Sequence, residues 1–122
     1  MNMKWNLLVC LALLMVICTG CQKSNKESLT VSIGKEYVYQ CTDGSVVIAR
    51  FGELSDKSLN FVKMIIDSGE EYTLPQLVSA SGARYSDERS LEFWIKGNRV
   101  TISRIDENGE WNVDKEGETK TK

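Results

Sequence analysis

The sequence predicts an all-β fold, a small antiparallel β-barrel of about eight strands that occupies residues 31–113. Two observations predict it. Apolar and polar residues alternate along several short runs, as they do in strands that bury one face. The runs are separated by dipeptides that favour tight hairpin turns, namely Asp43-Gly44, Ser68-Gly69, Gly97-Asn98 and Asn108-Gly109. Strands joined by short turns are antiparallel neighbours, and either a small barrel or a sandwich would remove or shorten the exposed edges, of which the barrel is favoured.

The runs of alternating residues give the predicted elements in chain order. Strands are expected near residues 35–41, 45–51, 58–66, 71–74, 76–80, 90–96, 99–105 and 110–113. Side chains just fill the interior of an eight-stranded barrel. The residues predicted to fill it are Tyr37, Tyr39, Val47, Phe61, Ile65, Leu77, Leu91, Phe93, Val100 and Ile102.

Both ends of the chain lie outside the predicted barrel. Residues 1–20 are typical of an export signal, because Lys4 precedes an apolar run over residues 7–18 and small residues follow it. This run is shorter than the roughly 20 residues that cross a bilayer, so a cleaved leader is predicted, with an uncleaved anchor helix as the alternative. Residues 21–30 are predicted to form a polar tether and residues 114–122 a frayed, charged tail.

Cys21 is the predicted site of lipidation. Thr19-Gly20-Cys21 resembles the end of a bacterial lipobox, in which a peptidase cleaves before a cysteine that carries diacylglycerol, although Cys18 stands where these signals usually have leucine. A lipid-anchored N-terminus would hold the barrel at a membrane. The residue after the anchor is Gln22, and by resemblance to the lipoprotein sorting rule this favours the outer membrane, with the barrel facing the periplasm.

The composition of the mature chain argues against several classes of function. Once the leader is removed and Cys21 is acylated, Cys41 is the remaining thiol, and its place in an apolar alternation predicts that it is buried. The chain has no histidine, so neither a zinc site nor a Cys-His nucleophile is expected, and no metal or cofactor is predicted. Without Lys4 there are 14 Lys and Arg against 17 Asp and Glu, which favours a basic partner rather than nucleic acid.

The most distinctive stretch is Ser-Ala-Ser-Gly-Ala-Arg-Tyr at residues 79–85, followed by Phe-Trp-Ile-Lys-Gly at residues 93–97. Small residues around Gly82 would let a loop lie close to another backbone and enter a narrow cleft. Trp94 and Lys96 share one strand face, so the lysine points outward if the opposite face is in the core. The alternative is an ordinary hairpin with surface charges.

These two elements resemble the family of membrane-bound inhibitors of c-type lysozyme (MliC/PliC), marked by a serine-glycine-x-x-tyrosine loop and a phenylalanine-tryptophan-x-lysine-glycine strand end. With the early Tyr39-x-Cys41, the resemblance covers most of residues 35–105. It implies an eight-stranded barrel that plugs the cleft of a c-type lysozyme without catalysing a reaction. The implied lysozyme-binding residues are Ser81, Gly82, Tyr85 and Lys96. Ser81 would hydrogen-bond a catalytic carboxyl group and Lys96 would place its ammonium group beside both.

The sequence departs from the family pattern at two places. Eleven steps separate Tyr85 from Lys96, one more than the family has, so the turn at residues 86–90 is expected to be longer. The family often closes its barrel with a disulfide between the early cysteine and one near the C-terminus. Residues 111–122 contain no cysteine that could pair with Cys41.

Two other functions stay open on the residues alone. Ser81 and Lys96 could form a hydrolytic dyad, but a lysine that acts as a base must be desolvated, and no motif for an oxyanion hole is present. The barrel could instead bind a small ligand or an envelope-assembly partner, with the loop only structural.

Overall fold

The computed structural model describes residues 27–119, so the predicted leader 1–20, Cys21 and the final residues 120–122 lie outside it. Eight antiparallel strands close into a barrel in simple chain order, which confirms the predicted fold class. They are β1 (Val31–Cys41), β2 (Val46–Leu54), β3 (Asn60–Ile66), β4 (Glu70–Leu77), β5 (Ala83–Ser86), β6 (Leu91–Lys96), β7 (Arg99–Ile105) and β8 (Trp111–Thr119). No helix long and apolar enough to cross a membrane occurs in the described part of the chain.

The strands around Pro75 differ from those predicted. The runs at residues 71–74 and 76–80 form one strand, β4, which ends at Leu77, and β5 lies inside the segment predicted to be a loop. Pro75 cannot donate a ladder hydrogen bond and is tolerated where a strand has an open edge. β4 has such an edge, because it pairs with β5 only at Gln76 and Leu77.

β8 also differs, since it continues to Thr119 rather than ending near residue 113. Within the segment predicted to fray, residues 115–118 pair with β7, and residues 117–119 pair with β1 and close the barrel. The alternation of apolar and polar residues does not reveal this part of the strand, because polar residues occupy both faces after Val113, apart from the buried Gly117. Lys115 adds a contact, donating a hydrogen bond of 2.8 Å to Asp43 in the β1–β2 turn and holding the pKa of that carboxyl group well below its usual range.

The core contains most of the residues predicted for it. Those buried as predicted are Tyr39, Val47, Phe61, Leu91, Phe93, Val100 and Ile102, together with Cys41. The prediction was wrong for Tyr37, which is 36% exposed, and for Ile65 and Leu77, which are half-buried. In β3 the buried face carries Val62, Met64 and Ile66 instead, because a nearly continuous apolar run does not identify its inward face.

Candidate functional site

The segment that connects β4 to β5 exposes Ser81 on the outer surface of the barrel. The backbone carbonyl of Ser81 accepts two hydrogen bonds, 2.7 Å from the Ser79 hydroxyl and 2.9 Å from the Trp94 indole N–H. Within the described residues, no hydrogen bond engages the Ser81 hydroxyl. The backbone is therefore fixed while the side chain stays available to a partner.

Gly82 lets this loop lie directly against β6. Its φ of +68° falls in the left-handed region that favours glycine. A Cβ atom at this position would stand 2.1 Å from the carbonyl oxygen of Ile95 and 3.0 Å from Cγ of Lys96. No larger residue fits without moving the backbone of β6, so the glycine sets the close approach of Ser81 to the lysine.

Lys96 is exposed at the end of β6, just before the Gly97–Asn98 turn. Phe93 on the opposite face is fully buried, which confirms that Trp94 and Lys96 point outward. The Nζ atom of Lys96 stands 3.9 Å from the centroid of the Trp94 ring. This cation–π contact restricts the lysine without removing its ammonium group from solvent.

Trp94 therefore connects the two sequence motifs. Its indole N–H holds the carbonyl of Ser81, and the face of its ring holds the ammonium group of Lys96. The sequence pattern predicts Trp94 on the same strand face as Lys96 but does not indicate this double contact. The i, i+2 spacing of Trp94 and Lys96 indicates only that the two side chains lie on the same face of the strand. The hydrogen bond to the loop became visible only with the folded connection between β4 and β5.

Tyr85 does not lie on this surface. It is 6% exposed, and its ring packs among core aromatics, with centroids 5.6 Å from Phe51 and 6.3 Å from Phe93. Burial raises the pKa of its hydroxyl group. The structure thus brings Ser81, Gly82 and Lys96 together and places Tyr85 beneath them, where it anchors the strand that follows the loop.

The turn after β5 leaves the site geometry regular. β5 and β6 pair without interruption from Ala83–Ile95 to Ser86–Glu92, so the turn does not disturb the register that places the loop beside β6. Asp87 orders that turn by accepting hydrogen bonds from the backbone N–H groups of Arg89, Ser90 and Leu91 at 2.8 to 3.0 Å. Desolvation raises the pKa of Asp87, but these bonds and the Ser90 hydroxyl outweigh it and leave the pKa well below its usual range.

The geometry argues against a hydrolytic dyad and against a ligand inside the barrel. Lys96 is exposed and lies over an indole ring, whereas a lysine that serves as a general base is desolvated. The barrel interior is occupied by a continuous cluster of core side chains, which leaves little space for an internal ligand. What the site offers is a rigid projection with a hydroxyl group and an ammonium group at its surface.

Comparison with known proteins gives two matches. Residues 39–111 match the family model described as membrane-bound lysozyme-inhibitor of c-type lysozyme. The chain is also similar to the membrane-bound lysozyme inhibitor of C-type lysozyme of Yersinia enterocolitica (serotype O:8, biotype 1B), with 33% identity over 86 residues. That alignment covers 70% of this chain and 62% of the relative, so the chain spans less than two thirds of the relative's length. No solved structure matches the chain.

Proposed function

The chain belongs to the family of membrane-bound inhibitors of c-type lysozyme, and from this premise we propose that its barrel inhibits a c-type lysozyme by occupying the active-site cleft. The observation that carries the proposal is the pairing of Ser81 with Lys96 on one exposed projection, both held by Trp94. A projection that is rigid before binding loses little conformational entropy when it enters a cleft.

The chemistry of the target fits these two side chains. Lysozyme cleaves its polysaccharide with two carboxyl groups, one protonated in a hydrophobic pocket and one ionised in a polar environment. The ammonium group of Lys96 would form a charge-assisted hydrogen bond with the ionised carboxylate. The Ser81 hydroxyl can donate or accept, so it matches a carboxyl group in either protonation state. Inhibition then follows from occlusion, and the barrel needs no reaction of its own.

The proposed location follows from the N-terminal sequence. Cys21 would carry the lipid after removal of residues 1–20, and residues 22–30 would tether the barrel to the outer membrane on its periplasmic side. The Yersinia relative is itself named a membrane-bound inhibitor, which supports a membrane anchor. An envelope position would place the barrel where lysozyme arrives to attack the cell wall.

The direct test uses residues 22–122, which contain the whole closed barrel. This protein is mixed with a c-type lysozyme, and the clearing of a cell-wall suspension is followed at fixed enzyme and rising barrel concentration. We expect a dose-dependent loss of lysis. Full lysis at a large molar excess of folded barrel would refute the proposed function.

Trp94→Phe tests whether the indole positions the site. Phenylalanine keeps a ring for the ammonium group but loses the N–H that holds the Ser81 carbonyl. A hydrogen bond contributes about 0.5 to 1.5 kcal/mol, so we expect Kd for lysozyme to rise about two- to tenfold. Binding is measured by calorimetry, and thermal unfolding checks that the variant remains folded.

Trp94→Leu extends this test because it removes the ring as well. It should weaken binding more than Trp94→Phe does, through release of the Lys96 side chain. Combined with Lys96→Ala, the two variants at position 94 should differ less in binding than they do with Lys96 present, since no ammonium group is left for the ring to hold. A difference of the same size in the Lys96→Ala background would contradict a positioning role for the ring.

A further inference from the structure

An open groove of about 450 Å³ lies beside the Ser81 loop on the outer surface of the barrel. Its walls include Val78 and Trp111, with Trp94 and the loop itself between them. Val78 is 97% exposed and Trp111 is 40% exposed. We call this feature the Val78–Trp111 groove. Most of its lining belongs to the two sequence motifs, and Val78 and Trp111 extend it beyond them.

The groove presents mainly apolar side chains to a partner. Its charged residues, Arg84 and Glu92, form a salt bridge with each other and are partly buried. Each already has an opposite charge beside it, so a partner need not supply one. Val78 protrudes into solvent just before the loop and has almost no contact with the rest of the chain. Such an exposed valine next to an exposed tryptophan is typical of a contact surface rather than of a folded interior.

We propose that the Val78–Trp111 groove receives an apolar part of the rim of the lysozyme cleft, and that it provides an apolar anchor beside the polar contacts of Ser81 and Lys96. This inference rests on the proposed function. The groove and the projection form one rigid surface, because Trp94 lines the groove and bonds to the carbonyl of Ser81. A wall of the cleft that receives the projection would then lie next to the groove.

The charge balance favours lysozyme over a second copy of this chain as the occupant. Asp and Glu outnumber Lys and Arg in the chain, so two copies repel one another, whereas a basic lysozyme is attracted. The pocket around the lysozyme acid is itself hydrophobic, so the cleft offers apolar surface next to its carboxyl groups. The interface with lysozyme would then combine the polar contacts of Ser81 and Lys96 with an adjacent apolar contact in the groove.

Val78→Ser tests the groove with little risk to folding, since this side chain is almost fully exposed. We expect Kd for a c-type lysozyme to rise on the order of tenfold or more, because burial of a valine is lost. The heat-capacity change of binding, measured by calorimetry at several temperatures, should become less negative. Trp111→Ser should show both effects. The matched control is Val38→Ser, an exposed valine on β1, across the barrel from β5.

Three results would overturn the inference. If Val78→Ser and Trp111→Ser bind as tightly as the unaltered barrel while Lys96→Ala does not, the groove is not used and the proposed function stands. If the unaltered barrel does not bind lysozyme, both the inference and the proposed function fail. If the free barrel is a dimer by ultracentrifugation that Val78→Ser dissociates, a second copy of the chain occupies the groove.

Discussion

Replacing Lys96 with alanine is expected to weaken binding to a c-type lysozyme by about 2 to 5 kcal/mol. This corresponds to roughly thirtyfold to a few thousandfold in Kd. The effect is large because the proposed complex buries the ammonium group against an ionised carboxylate. Without the lysine, that carboxylate is desolvated with no partner. In the free barrel the side chain only lies over Trp94 at the surface, so stability should change little. Calorimetric titration and cell-wall clearing measure the loss.

Lys35→Ala provides the matched control for this variant. Lys35 also lies over an aromatic ring, with Nζ 5.1 Å from the centroid of Tyr37, but on β1 and across the barrel from the site. The Lys35→Ala variant loses the same charge and the same type of contact, but away from the site, so its binding should change far less than that of Lys96→Ala. Equal binding by Lys96→Ala and Lys35→Ala would exclude the proposed contact.

Ser81→Ala should weaken binding to lysozyme by about 1 to 3 kcal/mol, because it leaves a buried carboxyl group partly unsatisfied.

The sequence predicted those strands whose two faces differ. β6 and β7 alternate between buried and partly exposed residues, and they were located within a residue of their ends. β5 is only four residues long and follows small loop-forming residues, so no period could be recognised. The far half of β8 lacks an apolar face and is ordered by backbone pairing with β7 and β1. Local patterns do not contain that long-range information.

The site was predictable only in part, for a related reason. Alternation along β6 placed Lys96 on the outer face, and the glycine in the loop indicated a close approach of two backbones. The resemblance to the inhibitor family supplied their joint role. The burial of Tyr85 and the double contact of Trp94 depend on how the loop folds back over β6. The spacing of residues in the sequence does not predict that arrangement.

The position that faces Cys41 shows where a disulfide could join the two strands that close the barrel. Gly117 in β8 is the register partner of Cys41 in β1. The Thr42 N–H donates a hydrogen bond of 2.9 Å to the carbonyl of Glu116, so the neighbouring Cys41–Gly117 pair is a non-hydrogen-bonded one. Such pairs have Cα atoms about 4.5 Å apart, within the range that a disulfide spans. A Cβ at residue 117 would also stand 3.0 Å from the Cys41 sulfur.

Gly117→Cys is therefore expected to form a disulfide with Cys41 and to raise the free energy of unfolding by about 2 to 4 kcal/mol. The bridge would join β1 to β8 where only three residue pairs close the barrel, and it would constrain nearly the whole chain in the unfolded state. For a domain of this size each kcal/mol raises Tm by about 4 to 8 °C. Thermal unfolding of residues 22–122 with and without reductant measures the gain. Burial raises the pKa of the Cys41 thiol, so bond formation should be slow at neutral pH and faster in mild base.

Gly117→Ser separates the bridge from the effect of adding a side chain. A Cβ at residue 117 would lie 2.8 Å from the carbonyl oxygen of Gln40, so the serine variant and the reduced cysteine variant should both unfold at a lower temperature than the unaltered barrel. Only the oxidised cysteine variant should exceed it, because only the bridge reduces the entropy of the unfolded chain. Two titratable thiols after prolonged oxidation would show that β1 and β8 do not meet in this register. An intact bridge without a gain in Tm would show that its strain equals its entropic benefit.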